Sequence, residues 1–314
     1  MTQINLKDQR WGLELEFTGM TRERAARRLA EYLGGTAHDT GSLHNGWYVL
    51  APDGRKWKVM GDASITTQSN RGGWPSEECE FVTPICTYDD IPVVQECIRR
   101  LRKAGAVVNA SCGLHIHVDA AAHTAQSLKN LVFTMKAKQD LIFKAVGTQT
   151  SRLSRWCKPV DDTLVNNLKE LTGKRLDKDM VEDTWYETYR DYSRGRSHHY
   201  HASRYHAINL HSTWQRGTVE FRCFEATLHA GKVRAWLNLC LAMSAQAINS
   251  KRASAEVLQN GNDKYAMRCW LLRLGMIGDE FKTTREHLLK NLSGNAAWRD
   301  DPNTYESYRN RRSA

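Results

Sequence analysis

The sequence predicts an α+β fold: an antiparallel sheet, polar on one face and apolar on the other, with helices packed on the apolar side. Three observations carry this. The segment Cys112-Gly-Leu-His-Ile-His-Val-Asp119 alternates strictly, so Leu114, Ile116 and Val118 point one way and His115, His117 and Asp119 the other. Three further segments, Arg10 to Thr18, Glu78 to Pro84 and Thr218 to Phe224, also set charged residues opposite apolar ones. Between them run stretches of helical length with recognisable start and stop residues.

In chain order, Trp11, Leu13, Leu15 and Phe17 share a face opposite Gly12, Glu14, Glu16 and Thr18. An edge strand showing its glutamates to water has the same pattern, so the pair alone does not define a site. Thr21 to Leu33 reads as a basic amphipathic helix stopped by Gly34-Gly35. Gly46 to Ala51 and Arg55 to Gly61 form a hairpin about Asp53-Gly54. Asp62 follows it, either as a site residue at a strand end or as a turn former. Residues 66–76 are a polar, Gly-rich loop. Glu78 and Glu80 share a face opposite Cys79 and Phe81.

Thr87 and Asp90 start a helix that runs to Ala104 and stops at Gly105, and Thr124 starts a long helix to Val146. Residues 147–203 are basic and aromatic, with Arg152, Arg155, Trp156, Trp185 and several tyrosines. Such interleaving suits nucleic-acid contact, but a covering subdomain or flap is favoured. His198, His199 and His201 have no acid or cysteine at ligand spacing and are read as loop. Tyr205 to Ser212 reads as a strand, Trp214 to Gly217 as a turn, and Thr218 to Phe224 as the partner strand. An apolar helix covers Lys232 to Ile248. Two more follow near Ala255 to Leu274 and Thr284 to Leu292, the last with a capping box at Thr283 and Glu286. Residues 1–292 are expected to form one domain, and 293–314 a weakly ordered basic tail.

Composition narrows the function classes. The 314 residues are 41% hydrophobic, enough for a full core. Lys and Arg number 45 against 35 Asp and Glu, a net charge of +10 that favours anionic partners. The eight cysteines include no Cys-x-x-Cys pair, which fits reduced, cytosolic usage. No signal-peptide core or membrane-length apolar run occurs, so a soluble cytoplasmic protein is expected, with oligomeric state open. P-loop, dinucleotide-binding and His-Glu-x-x-His patterns are also missing.

The polar faces together describe a site. Glu14/Glu16, Glu78/Glu80, His115/His117 and Glu220/Arg222 would line one surface if their strands share a sheet, with Asp62 ending a fifth strand. Crowded carboxylates repel unless cations lie between them. Oxygen-rich ligands with one imidazole suit Mg²⁺ or Mn²⁺. Arg222 is either a clamp for a phosphate or carboxylate, or a buried ion pair with Glu220 or a neighbour.

Five segments taken in order resemble a known family: Gly12-Leu-Glu-Leu-Glu-Phe17, Asp62-Ala-Ser, Glu80-Phe-Val-Thr-Pro84, Cys112-Gly-Leu-His-Ile-His-Val118 and Thr218-Val-Glu-Phe-Arg222. They are similar to the motifs of the amidoligases, relatives of glutamine synthetase and glutamate–cysteine ligase, over roughly residues 10–250. Segment 147–203 and the tail have no counterpart. The resemblance implies a curved antiparallel sheet with Mg²⁺ on an acidic concave face. It also implies ATP-dependent joining of a carboxylate to an amine, on small molecules or peptides. Glu14, Glu16, Glu80 and Glu220 would be metal ligands, with Glu78 an alternative to Glu80. His115 would bind metal or phosphate, and His117 substrate or nucleotide. Arg222 would contact phosphate, Asp62 metal or the amine side, and Arg204 and Asn209 substrate or nucleotide. The alternatives are a metal-dependent phosphoesterase or nuclease, and a nucleic-acid binder without catalysis.

Overall fold

The computed structural model describes residues 3–41, 46–69, 72–73, 75–257 and 261–299. Its centre is an antiparallel sheet of eight strands: β1 (Trp11–Phe17), β2 (Thr36–Asp39), β3 (Trp47–Leu50), β4 (Lys56–Met60), β5 (Cys79–Val82), β6 (Gly113–Asp119), β7 (Ile208–Asn209) and β8 (Thr218–Glu225). They lie in the order β2-β3-β4-β5-β1-β6-β8-β7. The three strands with the clearest alternation, β1, β6 and β8, are therefore neighbours, with β5 flanking β1.

Among the described residues, ten α-helices complete the fold. They are α1 (Arg22–Leu33), α2 (Ile91–Lys103), α3 (Ala125–Val146), α4 (Thr150–Arg155), α5 (Asp162–Lys169), α6 (Lys178–Thr188), α7 (His211–Arg216), α8 (Ala230–Asn249), α9 (Asp263–Arg273) and α10 (Lys282–Leu289). The expected caps are present on the first three. Thr21 accepts from Arg24 N, and Gly34 ends α1 in the left-handed region. Thr87 and Asp90 form a capping box ahead of α2, and Thr124 caps α3. α8 packs on β6 and against α2, α3 and α10. The apolar sides of β1, β4, β5 and β6 join these helices in one cluster. Leu15, Phe17, Val59, Phe81, Leu114 and Ile116 are fully buried there, alongside Leu29, Ile98 and Leu128. Segment 147–203 forms α4 to α6, and its Leu164, Val181 and Trp185 enter the same cluster. All eight cysteines are free.

Five expectations change. The helix expected near Ala255 to Leu274 spans Asp263–Arg273, and residues 252–257 carry no helix. β2 is an additional strand: it is a short, mostly exposed edge without apolar alternation, read only through its pairing with β3. The strand expected over Tyr205 to Ser212 shrinks to Ile208–Asn209. Both of its sides are buried, so alternation there carries no facing information, and Leu210 already turns into α7. The turn expected at Trp214 to Gly217 is the end of α7, closed by Gly217 at φ +72°. The last helix starts at Lys282, so Thr283 lies inside it and does not cap. In the expected tail, 293–299 carry no helix or strand, yet Ser293 O accepts from Lys264 N at 3.0 Å. Residues 300–314 lie outside the described residues. Among the described residues no helix is long and apolar enough to cross a membrane.

Ile116 is fully buried on the apolar side of β6, between the outward-facing His115 and His117. Ile116→Ala should cost about 2–5 kcal/mol, the usual range for such a truncation. Urea unfolding measures it. A loss below about 1 kcal/mol would mean that the centre of the sheet is not tightly packed.

Candidate active site

Strand register builds the site in three rungs on the face opposite the core. In the first, Gly12 pairs with His117, His117 with Glu220, and Glu220 with Asn209. In the second, Val82 pairs with Glu14 and Glu14 with His115. In the third, Met60 pairs with Glu80 and Glu80 with Glu16. A register shift between Leu114 and Ile116 separates Arg222 from a direct partner on β6.

Side-chain contacts join the rungs. His115 Nδ1 lies 3.4 Å from Glu14 Oε2 and 3.5 Å from Glu220 Oε1. His117 Nε2 lies 3.5 Å from Glu14 Oε1, and its Nδ1 is 3.1 Å from Thr218 Oγ1. Glu16 Oε2 accepts the Gly113 N–H at 2.6 Å. Three groups bring potential ligand atoms within 4.8 Å of one another: Glu14, His117 and Glu220; Glu14, Glu80 and His115; and Glu16, Asp62 and Glu80. The third group is all oxygen, a donor set suited to Mg²⁺ or Mn²⁺. Asp62 also acts as a turn former, because its Oδ1 accepts Ser64 N at 2.7 Å.

The charges divide by environment. Burial pushes the Glu80 carboxyl well above the usual range, and Glu14, Glu16, Asp62 and Glu220 push it the same way. Burial also opposes ionisation of Glu14, but the adjacent His117 and His115 hold that carboxyl well below the usual range. Glu220 is buried too, and Arg222, His117 and His115 keep it ionised. The imidazoles part in opposite directions. Burial and Arg222 lower His115 despite its acidic neighbours. Burial is outweighed at His117 by Glu14 and Glu220, which raise it.

Other expected residues have different partners. Glu78 stands just outside β5, where its carboxylate lies 3.8 Å from Arg22, so it does not join the cluster. Arg222 is buried and ion-paired with Glu220 Oε1, and its Nε donates to Trp156 O at 3.4 Å. Asn209 Nδ2 donates to Glu220 Oε2 at 2.6 Å, so it orients that carboxylate. Arg204 donates to His199 O at 3.0 Å and lies over the Tyr200 and Tyr205 rings. His198, His199 and His201 join none of the ligand groups among the described residues.

Two arginines reach the face from outside the strands. Arg216, at the end of α7, lies 3.3 Å from Glu14 Oε1. Arg152 of α4 brings NH2 to 3.5 Å from His115 Nε2. Neither carries a periodic signal, because each arrives on a short helix whose position depends on the tertiary fold. At the Gly12 end the face opens into a cavity of about 660 Å³. Glu14, Thr83, His117, Trp214 and Arg216 line it, with Lys178 and Asp179 of α6.

A family model described as "putative amidoligase enzyme" matches residues 7–244, which include every strand of the sheet. No curated protein matches the chain.

The Glu80 shift sets a pH dependence. Its folded value lies above the ordinary 4.5, so its contribution to stability is full below that value and is lost as pH rises through the folded one. His117, raised above 6.5, loses its contribution in the same direction. Glu80 and His117 should therefore add a downward slope to the pH profile of the metal-free protein, beginning above about pH 4.5 and 6.5 and at most about 1.4 kcal/mol per pH unit and group. It runs against the upward slope of buried His115, His123, His206 and His211, whose values are lowered. Glu80→Gln should flatten that slope and weaken Mn²⁺ binding. Urea unfolding across pH, with and without Mn²⁺, reads both effects. A slope unchanged in the variant would remove Glu80 as the source.

Proposed function

The chain belongs to the amidoligase family, and from that premise we propose that it is an ATP- and Mg²⁺-dependent ligase that joins a carboxylate to an amine through an acyl phosphate. The family description is that of a ligase; the cosubstrate, the metal and the intermediate are our reading. The observation that carries it is the convergence of Glu14, Glu16, Glu80, His115, His117 and Glu220 on one sheet face, with Asp62 beside them. Burial and four acidic neighbours push the Glu80 carboxyl well above the usual range, which suits a place that takes more positive charge than the side chains supply.

A carboxylate is a poor acyl donor because oxide is a poor leaving group. Moving the γ-phosphoryl of ATP onto it makes phosphate the leaving group, and an amine then displaces it. Bound Mg²⁺ would neutralise the phosphate oxygens during that transfer. The acidic trio Glu16, Asp62 and Glu80 would hold it, and Glu14 and Glu220 supply further oxygens. The remaining work is positional. Asn209 and Arg222 fix Glu220, and the Gly113 N–H fixes Glu16, so the donor atoms are arranged before ligands arrive. His117 faces the cavity with Nε2 close to Glu14 and is placed to accept a proton from an incoming ammonium. The cavity receives the carboxylate and amine substrates, and Arg216 and Lys178 offer cations for an anionic group.

Incubation with ATP, Mg²⁺, a pool of amino acids and acidic peptides, and hydroxylamine should yield a hydroxamate, because hydroxylamine captures the acyl phosphate. Glu16→Gln should lower that rate by about a hundredfold or more. If hydroxamate never forms, yet nucleic acid is cut with metal and without ATP, the protein is a hydrolase and not a ligase.

A further inference from the structure

Arg152 is a buried guanidinium without a counter-ion. Its residue is 4% exposed, and among the described residues it forms no ion pair. Its Nε is buried without a hydrogen-bond partner, and NH2 reaches only His115 Nε2, at 3.5 Å. Arginine is always charged and only donates, so one long contact with His115 leaves most of its donors without a protein partner. Its position is also specific. The guanidinium lies across Gly113 so closely that a Cβ there would fall 1.9 Å from NH2 and 2.7 Å from Cζ. Glycine at that strand position leaves the room that Arg152 occupies. On the same patch, the Gly113 N–H donates to Glu16, one of the acidic trio with Asp62 and Glu80.

The other buried arginine of the face is differently placed. Arg222 is already bound to Glu220 and to Trp156 O. An incoming anion would have to break that buried pair before using it, whereas Arg152 has donors to give.

We propose that Arg152, laid across Gly113, is the anion-binding residue of this face and takes a phosphoryl oxygen of a bound polyphosphate, while Arg222 serves to position Glu220. Only the identity of the anion as ATP rests on the ligase reading. The site itself rests on the uncompensated guanidinium beside an acidic trio able to hold a cation. A magnesium-bound phosphate presents both signs at once: cation toward Glu16, Asp62 and Glu80, and oxygens toward Arg152. Lysine would keep the charge but lose the planar fork.

The test is calorimetric binding of Mg²⁺–tripolyphosphate and of Mg²⁺–ATP to the full chain, with thermal unfolding to verify folding. Arg152→Gln should weaken tripolyphosphate binding at least about tenfold, with Arg152→Lys intermediate. Gly113→Ala leaves Arg152 in the chain but displaces it, and should weaken binding as well. Tripolyphosphate bound equally by wild type, R152Q and G113A overturns the assignment. Tripolyphosphate bound through Arg152 with no binding of ATP supports it and sinks the ligase reading. A wild-type protein that binds neither overturns both.

Discussion

Strand alternation makes β1, β6 and β8 deliver every second side chain to one face. Their other side chains enter a core where Leu15, Phe17, Leu114 and Ile116 have no contact with solvent. Charged groups in those strands therefore share one surface and stand closer together than separately solvated charges would. The structure answers with specific neutralisation. Glu220 is held by Arg222 and Asn209, Glu14 lies among His115, His117 and Arg216, and Glu16 takes a backbone N–H. Glu80 forms no ion pair among the described residues, and it is the acid that burial and its acidic neighbours drive toward the neutral form. Breaking such a buried pair from one side typically costs about 3–5 kcal/mol, because the remaining charge stays unsatisfied. The site is thus coupled to stability as well as to chemistry.

The three rungs also give the face direction. Glu16 and Gly12 stand four positions apart on β1, on the order of 13 Å at the usual rise of a strand. The acidic trio stands at one end and the cavity opens at the other. Gly12 leaves the cavity floor clear: a Cβ there would meet only Thr83 and His117, at ordinary contact distance. Glu14, His115 and Arg222 lie between the two ends. A cation-bound group at one end and a second reactant at the other would meet over that middle rung.

Much of this was legible in the sequence, for a physical reason. In β1, β6 and β8 one face is dry and the other is charged, so period-two alternation encodes facing directly. The caps at Thr21, Thr87 and Thr124 were equally readable, since they satisfy local backbone groups. Legibility failed where position depends on distant packing. At Tyr205 to Ser212 both sides are buried, and the apparent strand is mostly not one. Glu78 shares the period of Glu80 but lies beyond the end of β5, where Arg22 takes it. Arg152 and Arg216 come from short helices whose sequence carries no mark of where they point. Arg222, readable from sequence as an anion clamp or as one half of an ion pair, stands beside Glu220 as its ion partner.

The order of the strands has a dynamic consequence. On one side of β1 lie β5, β4, β3 and β2, so opening that begins at the β2 edge must part the β2–β3, β3–β4 and β4–β5 ladders before it reaches the β5–β1 pair. On the other side β8 is followed by β7, two residues long, with Lys158 bridging to His206 just beyond it and α7 packed on β8. Local opening is therefore least costly at the exposed β2 edge, and more costly both beneath Glu14 and Glu16 and on the flank of Glu220, Arg222 and Asn209, which are buried. Fraying at the β2 edge thus leaves the acidic trio and the Glu220 pair in their geometry.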